Sequence, residues 1–407
     1  MPMSLFYDPS NPAVLRNPHA LFARMRAEDP VHWSPKLSSW VVTSHALAES
    51  VLAIGDFSSD RLSPFYKQAE ATDRAKLNEI MRYISLWLVF RNPPEHTRLR
   101  RLMNVAINPG VVAGLQPDIA SIVDLLLEEL KGRDEIDFIG DFAMPLPALV
   151  IMKMLGVPRD MLFKMKEWSD DLINFVGSPR TVEDKYERAR RGVIAMADFF
   201  SQLVAERRAQ PKNDILTYLV EARDEQSALT DDELVAAAML MLFAGHETTT
   251  NLLGNAVMAL HANPDQWEHL RQSPGSIESA VEEFLRFDGP VLSTARVVAR
   301  SHELGGHSLE EGQRMFVMLT AANRDPKVFD EPDRLDIGRK PNRHVTFGKG
   351  AHFCLGAPLA RLEAKTAFNE LLKRFQRIEV AKPIEELDWI DAMVMRGVRA
   401  LPVRLHR

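Results

Sequence analysis

The only cysteine in the chain, Cys354, lies in the run Phe347-Gly348-Lys349-Gly350-Ala351-His352-Phe353-Cys354-Leu355-Gly356-Ala357-Pro358-Leu359-Ala360-Arg361. Thiolate is the reactive form of cysteine, and a helix N-terminus favours it through unpaired N–H groups and the positive end of the helix dipole. A helix predicted from Leu355 to Arg374 puts Cys354 at such an end. Gly348, Gly350 and Gly356 would let the backbone turn tightly and approach a flat ligand closely. A thiolate so placed can ligate a metal or attack as a nucleophile, and the plainer alternative is a small core residue. For a cysteine hydrolase, no partner histidine pattern is present.

This loop resembles the haem-binding loop of the cytochromes P-450. Phe347-x-x-Gly350-x-His352-x-Cys354-x-Gly356 matches every defining position, and other marks of the family run from Pro93 to Arg374. The resemblance implies haem b (iron protoporphyrin IX) as cofactor and Cys354 as axial ligand to its iron. In that family the thiolate pushes electron density onto iron and favours O–O cleavage. Phe347 is implied to pack near the sulfur, with Gly348 and Gly356 in the same cofactor-binding loop.

A second match is Ala244-Gly245-His246-Glu247-Thr248-Thr249, which interrupts an otherwise apolar helix. Glycine inside a helix costs up to about 1 kcal/mol relative to alanine. A hydroxyl that bonds back to the preceding turn can bend the helix. The family signature Ala/Gly-Gly-x-Asp/Glu-Thr fits this stretch without a gap, and it implies that Ala244 and Gly245 crowd the haem. Glu247 and Thr248 are then the catalytic pair that relays protons for O₂ reduction. The alternative is a polar patch turned to the surface. Thr249 and Thr250 are read as packing or helix-bonding residues.

Haem carries two propionates, whose burial requires positive or hydrogen-bonding partners. The family pattern Pro-Pro-Glu-His-x-x-x-Arg is met by Pro93 to Arg100, and it implies His96 and Arg100, four apart on one helix, as two such partners. Arg296 and His352 match two more. Glu283 and Arg286 match the family's structural Glu-x-x-Arg, with Arg334 expected as third member. By resemblance the substrate pocket is walled by Ile84, Leu86, Leu88, Val89, Leu240, Phe243, Ala244, Val291 and Leu292, with Phe175, Val176, Met393 and Val394 from flanking segments. These residues are strongly apolar, with no charge among them to anchor a carboxylate, which suits a terpenoid, steroid, macrolide or aliphatic substrate.

The elements that must position these groups are mostly helical. A capping box, Thr230 with Glu233, opens a helix through Leu234–Ala262 that stops at Asn263-Pro264. Pro93-Pro94 precedes a helix over Glu95–Ile107. Further helices are expected at Pro18–Ala27, His45–Ala53, Gln116–Leu130, Pro145–Leu155, Asp160–Val176, Glu183–Arg208, Asp214–Arg223 and Ser276–Phe287. Strands are expected within Val31–Thr43, Val291–Ala299 and Arg314–Leu319, with a turn at Gly305-Gly306. The class is mainly α with a small β region, a cytochrome P-450 fold in one large domain over residues 1–407.

The 407 residues carry 50 Lys and Arg against 56 Asp and Glu, a net charge of −6. That balance argues against nucleic acid, which needs a concentrated basic face. One cysteine excludes an intrachain disulfide. The longest apolar run, Leu234 to Gly245, is too short to span a bilayer. The expectation is a cytoplasmic monomer with no membrane partner. It would insert one oxygen atom from O₂ into an apolar small molecule, by hydroxylation or epoxidation. Electrons would come from a ferredoxin and ferredoxin reductase, docked on a basic face of Lys349, Arg98, Arg101, Arg361 and Lys365. The alternatives are a peroxide-using or rearranging member of the family, against which Glu247-Thr248 counts, and a non-catalytic haem-binding relative.

Overall fold

A computed structural model of the chain describes residues 5–53, 55–176, 184–222 and 228–407. These group into two compact units that interleave along the sequence. The first takes the described parts of Met1–Ser58, Val123–Met144 and Thr248–Arg407, and the second those of Ser59–Ile122 and Pro145–Glu247.

All strands named here belong to the first unit. Five of them form a sheet in the spatial order Val31–Ser34, Ser39–Val42, Arg314–Met318, Ser293–Val298, Phe57–Ser58. Only Ser39–Val42 against Arg314–Met318 runs parallel. Side chains alternate across a strand, so adjacent residues enter opposite cores. Val42 and Val317 join Val31, Val51, Leu52 and Val345 on one face, while Val41 and Phe316 join Phe22, Met25, Leu292 and Ala295 on the other. The Gly305-Gly306 turn closes a hairpin of His302–Leu304 with His307–Leu309, both glycines having positive φ (59° and 86°), as a tight two-residue hairpin turn demands. A three-stranded sheet of Glu135–Asp137, Pro402–His406 and Arg377–Val380 was not expected.

Helix Ile277–Phe287 buries Ile277, Ala280, Val281, Phe284 and Leu285, the spacing of one helical face. Phe284 packs on Phe368 of helix Ala357–Arg374, ring centroids 5.1 Å apart.

Among its described residues the second unit holds helices and no named strand. Leu62–Gln68 and Ala71–Ile84 were not anticipated; the latter buries Leu77, Ile80 and Ile84. Then come Glu95–Ala106, Pro145–Leu155, Leu162–Val176, Lys185–Ala209 and Ile215–Glu221. The expected helix ends Glu183 and Arg223 lie outside the described residues. The long helix runs Asp231–Ala262, and its capping box is formed: Thr230 N donates to Glu233 Oε2 at 2.9 Å and Glu233 N to Thr230 Oγ1 at 3.3 Å. The boundary between the units falls on this helix between Glu247 and Thr248. No single described helix is long and apolar enough to cross a membrane.

Candidate active site

Cys354 is exposed, and its N–H donates to Phe347 O at 2.8 Å, closing the loop that carries it. Two of the three loop glycines do what their type allows: Gly348 and Gly350 have φ of +73° and +69°, a region closed to most side chains. Gly356 is a correction. Its φ is −83°, and the one neighbour a side chain there would meet is Cys354 Sγ, at 4.0 Å. The turn does not require a glycine there, and the contact with the sulfur is an ordinary van der Waals one. The helix after the loop starts at Ala357, two residues later than expected.

The loop is held from behind by buried polar groups. Asn323 Oδ1 accepts from Val345 N at 2.8 Å, Asn323 Nδ2 donates to Thr346 Oγ1 at 2.7 Å, and that hydroxyl donates to Leu285 O at 2.6 Å. Glu282 receives Arg361 through two bonds of 2.6 and 2.8 Å and lies 3.0 Å from His344 Nε2. These partners hold the Glu282 carboxyl down at about 2 despite burial, which pulls the other way. The Arg361 guanidinium lies 4.5 Å from the centroid of the Phe347 ring, fixing the aromatic that faces the loop.

One residue along, Glu283 and Arg286 are both fully buried and joined by two bonds of 2.8 Å. The third side chain of this cluster is Arg339, 3.2 Å from Glu283 Oε2, with Asn342 Nδ2 donating at 3.1 Å. Arg334, the expected member, points elsewhere: its guanidinium pairs with Glu331 and Asp336, and only its carbonyl accepts from Arg286. The irregular chain from 331 to 342 folds back, which residue spacing alone does not reveal.

Arg296 sits in strand Ser293–Val298, only 4% exposed. One terminal nitrogen donates to Ala295 O at 2.9 Å, while Nε is buried without an acceptor. Among the described residues no carboxylate lies within ion-pair distance, and burial pushes the guanidinium down to about 10. A buried cation without a counter-charge is costly unless an anion joins it. His352, the other expected propionate partner in this unit, ends the short turn Gly350–His352 two residues from Cys354. An accessible thiol on a glycine turn and an anion-seeking buried arginine together suit a flat, metal-centred group with acidic side chains.

In the second unit, His96 is buried on helix Glu95–Ala106, and burial together with Arg100 holds its imidazole below the usual range. The two residues therefore share one side of the helix, as their spacing required. The opposite side carries Glu95 and Arg98, and Arg98 bonds both Glu95 and Glu233. Gly245 has a packing reason on the long helix: a side chain there would meet Ile151 Cγ1 at 3.2 Å. Ala244 is exposed and Gly245 and Thr248 partly so, although the stretches on either side are buried. Positions i, i+1 and i+4 form one accessible strip on an otherwise enclosed helix. Glu247, 8% exposed, has Lys166 Nζ at 4.0 Å and His246 Nε2 at 3.9 Å, and Lys166 also pairs with Asp170. Lys166 was missed, having no signal beyond an ordinary i,i+4 pair.

The apolar candidates fall into two sets. Ile84, Leu88, Leu240, Phe243 and Phe175 are buried in the second unit, Leu86 and Val176 partly so, and Val89 is 39% exposed. The Phe243 ring packs on Trp87 at 5.1 Å. In the first unit Leu292 N donates to Val394 O at 2.8 Å and Val291 bridges Met395, which brings Val291, Leu292, Met393 and Val394 side by side. Of the basic residues proposed to dock a ferredoxin, Lys349 pairs with Glu49, Arg361 with Glu282, Lys365 with Glu278, and Arg98 with Glu95 and Glu233. Paired charges project a weaker field than free ones, so each of these residues is a weaker source of positive field than its type implies.

Comparison with known proteins finds one family. The family model for cytochrome P450 matches residues 41–273 and 276–396. The polyketide biosynthesis cytochrome P450 PksS of Bacillus subtilis strain 168 is 33% identical, over 99% of both chains. The vitamin D(3) 25-hydroxylase of Pseudonocardia autotrophica is 36% identical, over 96% of this chain and 94% of its own. Among solved structures, P450BioI in complex with an acyl carrier protein ligated to hexadec-9Z-enoic acid superposes with a TM-score of 0.90 at 32% identity, covering 97% of this chain and 99% of that one.

Proposed function

The chain belongs to the cytochrome P450 family, and we propose that it is a haem-thiolate monooxygenase in which the whole chain acts as one haem domain. It is an enzyme whose cofactor is haem b. That group, when bound, supplies O₂ reduction and the transfer of one oxygen atom to the substrate. The observation that carries the reading is the Cys354 loop: an accessible sulfur on a turn with two positive-φ glycines, with polar groups behind it pinning the loop.

Each residue then has a stated task. Cys354 binds the iron as thiolate, beside Phe347, Gly348 and Gly356. Arg296 and His352 would hold propionate oxygens, which is supported by the buried, unmatched guanidinium of Arg296. His96 and Arg100 take the same task on the strength of their motif and their shared helix side. Ala244 and Gly245 keep the long helix thin, Gly245 where Ile151 packs on it, and Ala244 would leave room for the cofactor. Thr248 offers a hydroxyl that donates and accepts a proton at Oγ1. Glu247 takes up and passes a proton at its carboxylate, with Lys166 Nζ 4.0 Å away.

The substrate is an apolar small molecule, and electrons come from an external ferredoxin and ferredoxin reductase. Relatives acting in polyketide biosynthesis and on vitamin D show how varied the family's substrates are, so the class here is argued from the apolar candidate walls. The test is reductant consumed, peroxide formed and product formed, side by side, in the wild type and Thr248→Ala. The variant should keep haem and substrate binding while converting a smaller share of reductant to product. Equal coupling in both proteins would remove Thr248 from the proton relay.

A further inference from the structure

Helix Lys185–Ala209 carries six basic residues, and five of them are matched by acids within the second unit. Arg188 and Arg191 pair with Asp171, Arg190 with Glu187 and Glu79, Arg207 with Asp214, and Arg208 with Asp231. Lys185 is the exception. Among the described residues it has no carboxylate within ion-pair distance, although it is partly buried. Burial alone lowers its ammonium below the usual lysine range, with no acid to offset the cost. It lies beside an aromatic ring, that of Tyr186, with Nζ 5.6 Å from the centroid.

Tyr186 is one corner of a triangle of rings. Its centroid lies 6.3 Å from that of Phe65 and 6.1 Å from that of Phe175, and Phe65 and Phe175 meet edge to face at 5.9 Å. The three rings come from helices Leu62–Gln68, Leu162–Val176 and Lys185–Ala209. The arrangement is a cluster of three aromatic rings with one ammonium at its side. A neutral ligand would leave that ammonium unmatched, whereas a carboxylate would supply the counter-charge that every other base on the helix already has.

We propose that Lys185, with Phe65, Phe175 and Tyr186, is a recognition site for the carboxylate end of an amphiphilic substrate, such as a free long-chain fatty acid. The inference rests on reading Phe175 as a wall of the substrate pocket. It narrows the substrate class from apolar molecules in general to chains that end in an acid. The residue list drawn from the sequence contained no such anchor, because Lys185 lies nine residues beyond Val176, the nearest candidate in it.

The test compares dodecanoic acid with its methyl ester on the haem-loaded protein, by calorimetry and by the spin-state change of the haem spectrum. Wild type should bind the acid about tenfold more tightly than the ester, in keeping with a charge-assisted bond. Lys185→Met should erase that preference by weakening acid binding alone, and Lys185→Arg should keep it. Equal affinity for acid and ester in wild type, or equal weakening of both in Lys185→Met, would overturn the anchor while leaving the pocket reading intact. Binding of neither compound would overturn it as well. Failure of the haem-thiolate reading shows separately, as a reduced, CO-bound spectrum without the thiolate signature.

Discussion

Arg286 and Arg296 lie ten residues apart, and both are buried, yet they are opposites. Arg286 uses all five of its N–H donors: two on Glu283 and one each on the carbonyls of Asn323, Pro332 and Arg334. Among the described residues, Arg296 leaves Nε without an acceptor and has no acid beside it. A guanidinium that is complete within the protein fastens chain to chain. One that is incomplete is poised for a ligand. Burial alone does not separate structural charges from functional ones, and hydrogen-bond satisfaction does.

The largest effect is expected where the network is complete. Arg286→Ala strands the Glu283 carboxylate in a dry site, and breaking a buried pair from one side costs about 3–5 kcal/mol. Urea unfolding should show that loss even before haem is added. Arg296→Gln should behave otherwise, with the stability of the haem-free protein changing by less than about 1 kcal/mol, because no pair is broken. Haem should leave that variant about ten- to a hundredfold faster, as expected for loss of a hydrogen bond to a charged group. Transfer of haem to apomyoglobin measures it. Equal destabilisation by the two substitutions would dissolve the contrast.

A pH-dependent effect comes from Glu363, buried on helix Ala357–Arg374, whose carboxyl burial pushes up to about 8 against a weaker pull from the Thr249 hydroxyl. An acid raised in the folded state holds its proton there while the unfolded chain has lost it. Stability should therefore be full below about pH 4.5 and fall by up to about 1.4 kcal/mol per pH unit until the pH passes the folded value. Glu363→Gln should flatten that slope. Denaturation midpoints of both proteins between pH 5 and 8 check it, and parallel curves would mean the carboxyl is not held neutral.

What could be read in advance follows the range of the interaction. The capping box at Thr230 and Glu233, the hairpin at Gly305-Gly306 and the helix shared by His96 and Arg100 depend on neighbours within a few residues, and all appear in the fold. The Cys354 loop was legible for the same reason, though not the negative φ of Gly356. Arg339 in place of Arg334, the Lys166 partner of Glu247, the sheet formed by Glu135–Asp137 with the C-terminal strands, and the rings around Lys185 all join segments far apart in sequence. Such pairings arise only once the chain has folded. The ion pairs that quench Lys349 and Lys365 belong with them.

The central claim is that Cys354 binds haem iron as a thiolate. The direct measurement is the absorption spectrum of the reduced, CO-bound protein, in wild type and in Cys354→Ser. Wild type should show the red-shifted Soret band that marks a thiolate ligand, and Cys354→Ser should retain haem but lose that band. The same red-shifted band in Cys354→Ser would contradict the assignment.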